Sequence, residues 1–175
     1  MITIDSTSQR RIIYILLLVL SALVPETMYS TSSGAVSFLT YQFTHVNILH
    51  FIANLFAIVA LMETVCITID PWKTIMVSYM VSVVSALLSV QVTPTCGMSG
   101  MAFFLIGMFY AFAFGGKILK IRRVVPFYVG LLTTAIFVIA SFFFKNLAAI
   151  NHLIALVIGI LYGILENMQY RRYYK

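Results

Sequence analysis

Carboxylates are scarce in this chain. Asp5, Glu26, Glu63, Asp70 and Glu166 are the only acidic residues, and charged residues of both signs make up 9% of the 175 positions. With 62% hydrophobic residues and a mean hydropathy of +1.03, the chain carries more apolar surface than a water-soluble core of this size can hide. That excludes a soluble domain and predicts an integral membrane protein. Every acid falls in a tail, a loop or the end of an apolar run, so none is available to a buried interior. Cysteine is sparser still. Cys66 and Cys96 are expected at opposite membrane faces about 30 Å apart, which excludes a disulfide between them and leaves two free thiols.

Basic residues outnumber acids, giving a net charge of +6. They form short clusters between apolar runs, which marks membrane topology rather than a nucleic-acid surface. The hydropathy pattern predicts an all-α polytopic bundle of six spans, at about residues 12–29, 45–66, 74–92, 99–115, 124–144 and 148–168. Residues 1–11 read as a polar leader and 25–44 as a loop rich in Ser, Thr, Tyr and Gly. A cleaved secretory signal is the alternative for the first span, although Val24-Pro25-Glu26 is a poor small-residue cleavage site. Pro71 suits the start of the third span. The fourth span offers roughly 26 Å of helix, barely enough to cross the hydrocarbon. Six spans use nearly the whole chain, so a single membrane domain over residues 1–175 is expected, with no linker, repeat or soluble appendage.

In that arrangement Arg10, Arg11, Lys73, Lys117, Lys120, Arg122, Arg123, Arg171, Arg172 and Lys175 fall on one side, and only Lys145 on the other. Positive charge collects on the cytoplasmic side, so both termini are expected there. The even-numbered spans then start on the outer side and run inward.

This topology brings a small set of polar residues level. The stretch Gly97-Met98-Ser99-Gly100 opens span four and exposes a hydroxyl between glycines, a geometry suited to a nucleophile although common in plain turns. His152 lies in the first turns of span six. His50 and Asn54, four residues apart in the outer half of span two, share one helical face about 6 Å apart. Polar groups in a membrane tend to face the bundle interior. Together these supply the parts for acyl transfer: Ser99 as nucleophile, His152 as general base and acid, and His50, Asn54 and the Ser99 N–H as oxyanion donors. With no acid nearby, the base works in a Ser–His dyad. Phe103, one turn after Ser99, is placed to lie against the imidazole. Ala155, Gly159 and Gly163 form a small-residue stripe near the His152 face that lets another helix approach. Gly97 is expected to end the loop tightly, and Gly100 to keep the first turn slim where span six passes. His45 and Asn47 read as helix-start or interfacial residues. The Met and Phe residues of span four read as lipid-facing or packing surface.

His50-Phe51-Ile52-Ala53-Asn54 in span two, Gly97-Met98-Ser99-Gly100 opening span four and Asn151-His152 before small-x-x-x-small in span six resemble the rhomboid intramembrane serine proteases. The resemblance covers about residues 12–168, with the motifs in order and on the expected spans. It implies a six-helix bundle, the roles just given for His50, Asn54, Ser99 and His152, a recurrent structural histidine at His45, and small residues before the scissile bond. Three departures stand out. Residues 25–44 lack the Trp-Arg pair of many rhomboids, and the lone Trp72 is predicted on the opposite side. Ala155 replaces the first glycine of the Gly-x-x-x-Gly pattern, and Phe103 stands where tyrosine is frequent.

The expected function is therefore an intramembrane endopeptidase needing no cofactor or metal, acting on single-pass or polytopic membrane proteins within the lipid bilayer and not on nucleic acid. The resemblance places it in a bacterial inner membrane, with the site toward the outer side; oligomeric state is left open. Two alternatives belong to other classes. A catalytically inactive rhomboid-like client binder has no need of both Ser99 and His152. A small transporter or channel would line several depths with polar groups, whereas these cluster in the outer half.

Overall fold

A computed structural model of the chain describes residues 5–24, 35–67, 69–89, 96–115, 124–143 and 149–173. The helices are α1 (Ser6–Leu23), α2 (Ala35–Thr40), a 3₁₀ turn (Tyr41–Phe43), α3 (Ile48–Val65), α4 (Pro71–Ser89), α5 (Ser99–Phe114), α6 (Val124–Phe143) and α7 (Ala149–Tyr173). The fold is all-α among the described residues. By length and composition, α1, α3, α4 and the Ala149–Gln169 portion of α7 are long and apolar enough to cross a membrane, and α5 is a shorter apolar helix.

Several boundaries differ from the hydropathy pattern, each for a local reason. Helix α1 begins at Ser6, inside the expected polar leader, because the Asp5 carboxylate accepts from the Thr7 and Ser8 amides at 2.8 and 3.0 Å. This cap satisfies orphan N–H groups at the helix start, and the same bonds hold the Asp5 carboxyl below the usual carboxylate range, the Ser8 amide being the largest cause. At the other end Val24 is extended (φ −86, ψ 126), as a residue before proline prefers. Residues 25–29 of the expected span lie outside the described residues.

The expected loop is helical over its described part, in α2 and the Tyr41–Phe43 turn; residues 25–34 lie outside the description. Helix α3 starts after Asn47, whose side chain accepts the His50 amide at 2.8 Å, so His45 precedes the helix instead of opening it. Pro71 does open α4, and the Asp70 carboxylate accepts the Lys73 amide at 2.7 Å. Helix α7 continues past the expected end at 168 to Tyr173.

Helix α5 occupies the centre. All its residues except Tyr110 and Phe114 are buried, so of the two expected readings, lipid-facing or packing surface, packing is the one observed. A helix apolar all round has no amphipathic stripe to direct one face outward, and burial among other helices is the consequence. The outer helices carry the lipid-compatible surface instead: Ile15, Leu49, Leu88 and Leu153 are exposed large apolar side chains on α1, α3, α4 and α7.

Helices α5 and α7 run parallel in close contact. Going inward from their first turns, Ser99 meets His152, Phe104 meets Gly159, and Ala111 meets Gly163. A Cβ at Gly159 would land on the Phe104 carbonyl oxygen, with the carbonyl carbon 2.9 Å away. From the other side, a Cβ at Gly107 would meet the Leu156 carbonyl and lie 2.7 Å from the Ile160 nitrogen. Backbones this close require small residues on both helices. At the end of the bundle away from Ser99, Arg10 pairs with Glu63 at 2.9 Å, and Lys73 pairs with Glu166. The pairs tie α1 to α3 and α4 to α7.

Candidate active site

The turn before α5 is built on Gly97. Its φ of +86 lies in the left-handed region, where a side chain is strained. The Gly97 amide donates to the Tyr41 carbonyl at 2.9 Å. A Cβ on Gly97 would lie 2.8 Å from His50 Cε1 and 2.9 Å from Asn54 Nδ2. The two α3 side chains therefore converge on this glycine, as their four-residue spacing on one helix face predicts.

Two residues later α5 begins, and Ser99 Oγ lies 2.8 Å from His152 Nε2. Both residues are buried, at 7% and 5% exposure, so bulk water does not compete freely for this contact. The His152 ring lies flat against Phe103, with centroids 4.4 Å apart and planes 10° from parallel. Phe137 of α6 closes edge-on against Phe103 at 5.8 Å. One turn below His152, Ala155 is fully buried, and Gly159 one further turn down seats α7 on α5. An imidazole nitrogen within hydrogen-bond reach of a hydroxyl is the pairing that a nucleophile and its base require. The other ring nitrogen of His152, Nδ1, is buried with no hydrogen-bond partner among the described residues. Orientation of the ring thus rests on the Phe103 stack and the helix packing.

The remaining expected residues occupy supporting places. His45 Nδ1 lies 3.2 Å from the Phe43 carbonyl, and the His45 ring meets the rings of His50 and Phe51 edge-on at 5.3 and 5.1 Å. It braces the oxyanion-donor candidate His50. Gly100 faces a different neighbour than expected. A Cβ there would collide with the Ser82 hydroxyl of α4, while Asn151 Oδ1 of α7 lies 3.5 Å away. The slim first turn of α5 thus serves the approach of α4 more than that of α7. Cys66 and Cys96 are both free thiols.

Sequence reasoning passed over Tyr41 and Ser82. Tyr41 is completely buried, its hydroxyl donates to the Ser82 carbonyl at 2.7 Å, and the Ser82 hydroxyl lies 2.8 Å from the same oxygen. Serines 78, 82, 85 and 89 of α4 are all buried. Their recurrence at three- and four-residue steps was the available signal. Among the described residues no three His, Cys, Asp or Glu side chains gather as a metal-binding group would.

A family model described as Rhomboid domain matches residues 32–168. The chain belongs to the rhomboid family. The match runs from the segment before α2 through most of α7 and includes every residue of the site described above. The same comparisons found no match among curated proteins or solved structures. As a rhomboid with several membrane-length apolar helices, the chain is an integral membrane protein, and a rhomboid-family intramembrane protease or a relative of one.

Proposed function

We propose that this rhomboid is an active intramembrane serine endopeptidase using a Ser99–His152 dyad. The observation that carries the proposal is the buried 2.8 Å contact between Ser99 Oγ and His152 Nε2, with His50 and Asn54 gathered at the same turn around Gly97. A client-binding relative has no use for that contact.

A substrate transmembrane helix enters from the bilayer and unwinds near its outer end, since a helical amide is protected by its own hydrogen bonds. His152 Nε2 removes the Ser99 hydroxyl proton as Oγ attacks the scissile carbonyl carbon. The carbonyl oxygen becomes an oxyanion, held by the Ser99 N–H and the His50 and Asn54 side chains. Asn54 Nδ2 is buried without a hydrogen-bond partner among the described residues, which leaves it available as a donor. Collapse breaks the C–N bond, the proton on His152 passes to the leaving amine, and an acyl ester remains on Ser99. Water, deprotonated by the same imidazole, hydrolyses that ester and restores the serine. The substrates are single-pass or polytopic membrane proteins. On this reading positive charge faces inward, both termini lie in the cytoplasm, and the site lies toward the outer side of a bacterial plasma membrane.

The proposal is tested by reconstituting the full chain in liposomes with a generic single-pass substrate. Cleavage by wild type that is lost in Ser99→Ala is the expected result; equal cleavage by the two proteins rejects the dyad. In the same assay, His50→Ala and Asn54→Ala are each expected to lower kcat by about 10²-fold with little change in KM. Unchanged kcat in both assigns the oxyanion site to other groups. Phe103→Leu, which keeps an apolar side chain but removes the ring stacked on His152, is expected to lower kcat by about 3- to 10-fold. A kcat equal to wild type shows that helix packing alone orients the imidazole.

A further inference from the structure

The Tyr41 contacts form a connected path from one helix to the nucleophile turn. Tyr41 sits in the 3₁₀ turn before α3, and its side chain is anchored on α4 by the 2.7 Å bond to the Ser82 carbonyl. Asn151, adjacent in sequence to His152, is buried as well. On the other side of the residue, the Tyr41 carbonyl receives the Gly97 amide at 2.9 Å. Neighbouring bonds fix the same segment to α4. Gln42 Nε2 donates to the Tyr79 carbonyl at 3.3 Å, and the Tyr79 hydroxyl donates to the Leu39 carbonyl at 2.7 Å. Phe43 stacks on Tyr79 with centroids 6.3 Å apart.

Gly97 needs such a restraint. Glycine at positive φ has the widest conformational freedom of any residue, and Met98, the N-cap of α5, contributes no side-chain capping bond. Yet the Gly97 α-carbon is packed so tightly on His50 and Asn54 that a single methyl group would collide with both. A shift of the turn would change the spacing between Ser99 and these two donors. Displacements of about 1 Å in a catalytic constellation can cost about 10²-fold in rate.

We infer that Tyr41 is a positioning residue for the candidate active site: its hydroxyl, bonded to α4, fixes the main-chain carbonyl that holds Gly97 against His50 and Asn54. This rests on the assignment of Ser99 as nucleophile, but the link between Tyr41 and Gly97 is measurable without any turnover. The hydroxyl is the working part, and the ring supplies packing. Ser82 contributes mainly through its carbonyl, which a side-chain substitution leaves in place.

The experiment combines amide hydrogen exchange at Gly97, read by NMR on the detergent-solubilised full chain labelled with ¹⁵N-glycine, with cleavage kinetics in liposomes. Wild type is expected to show a protected Gly97 amide. Tyr41→Phe, which keeps the ring, is expected to speed that exchange by about 10-fold or more and to lower kcat by about 10- to 100-fold at unchanged KM. Ser82→Ala is expected to have a smaller effect on both. A wild-type Gly97 amide that exchanges like an open loop overturns the inference, whatever the variants do. So does unchanged exchange in Tyr41→Phe, and faster exchange with unaltered kcat overturns the link to chemistry. Failure of the protease assignment gives a different signature, equal cleavage by wild type and Ser99→Ala, while the exchange measurement still decides the Tyr41–Gly97 link.

Discussion

Ser99→Ala is expected to lower cleavage of a transmembrane substrate by about 10⁴-fold or more, and His152→Ala to do nearly the same. The chain offers no reserve for either group. Ser99 holds the hydroxyl at the first turn of α5, 2.8 Å from His152 Nε2. His152 rests on Phe103 and, among the described residues, has no carboxylate behind it: Glu63 pairs with Arg10, Glu166 pairs with Lys73, and Asp5 and Asp70 cap helix starts. A nucleophile and its base act as one unit, so the double variant should be little worse than either single one. Additive losses would mean that two independent mechanisms had been interrupted. Cleavage rates of the three variants, normalised to folded protein, make this comparison.

The second large effect belongs to a residue that touches no reacting atom. Gly159→Val is expected to destabilise the protein by about 3 kcal/mol and to abolish cleavage. Three added heavy atoms must find room where a Cβ alone would sit on the Phe104 carbonyl. That oxygen belongs to helix backbone and cannot rotate away, so α7 has to retreat from α5. The helices run parallel, and Ser99 and His152 lie two turns above on the same pair, so retreat at Gly159 also separates the dyad. Leu161→Val, on the exposed face of α7, is the control and should leave unfolding and activity near wild type. Denaturant-induced unfolding in detergent reads the stability difference. Wild-type stability in Gly159→Val would show that the close approach is not required.

Much of the site was legible because each of its parts carries a periodic or chemical signature. Residues 50 and 54 must share a helical face, and Phe103 must lie one turn from Ser99; the stack on His152 follows from that spacing. The stripe through Ala155, Gly159 and Gly163 needed only the preference of close helices for small residues. Other features had no such signature. The surroundings of α5 stayed open between lipid and packing because a helix that is apolar all round looks the same whether its neighbours are lipid or protein. At Gly100 the closer approach of α4 was missed beside that of α7 for a related reason: spacing assigns a residue to a face but does not name every helix opposite. Tyr41 was invisible because its part is played by a main-chain carbonyl, and its side chain reports only on α4. The early start of α1 depended on a capping bond from Asp5, which overrides a polar composition.

The central claim, that a rhomboid nucleophile at Ser99 is activated by His152, is tested most directly by mapping the site of fluorophosphonate labelling by mass spectrometry. The chain is predicted to carry one label, on Ser99, and to lose it in His152→Ala. A label on any other residue, or undiminished labelling of Ser99 without His152, would contradict it.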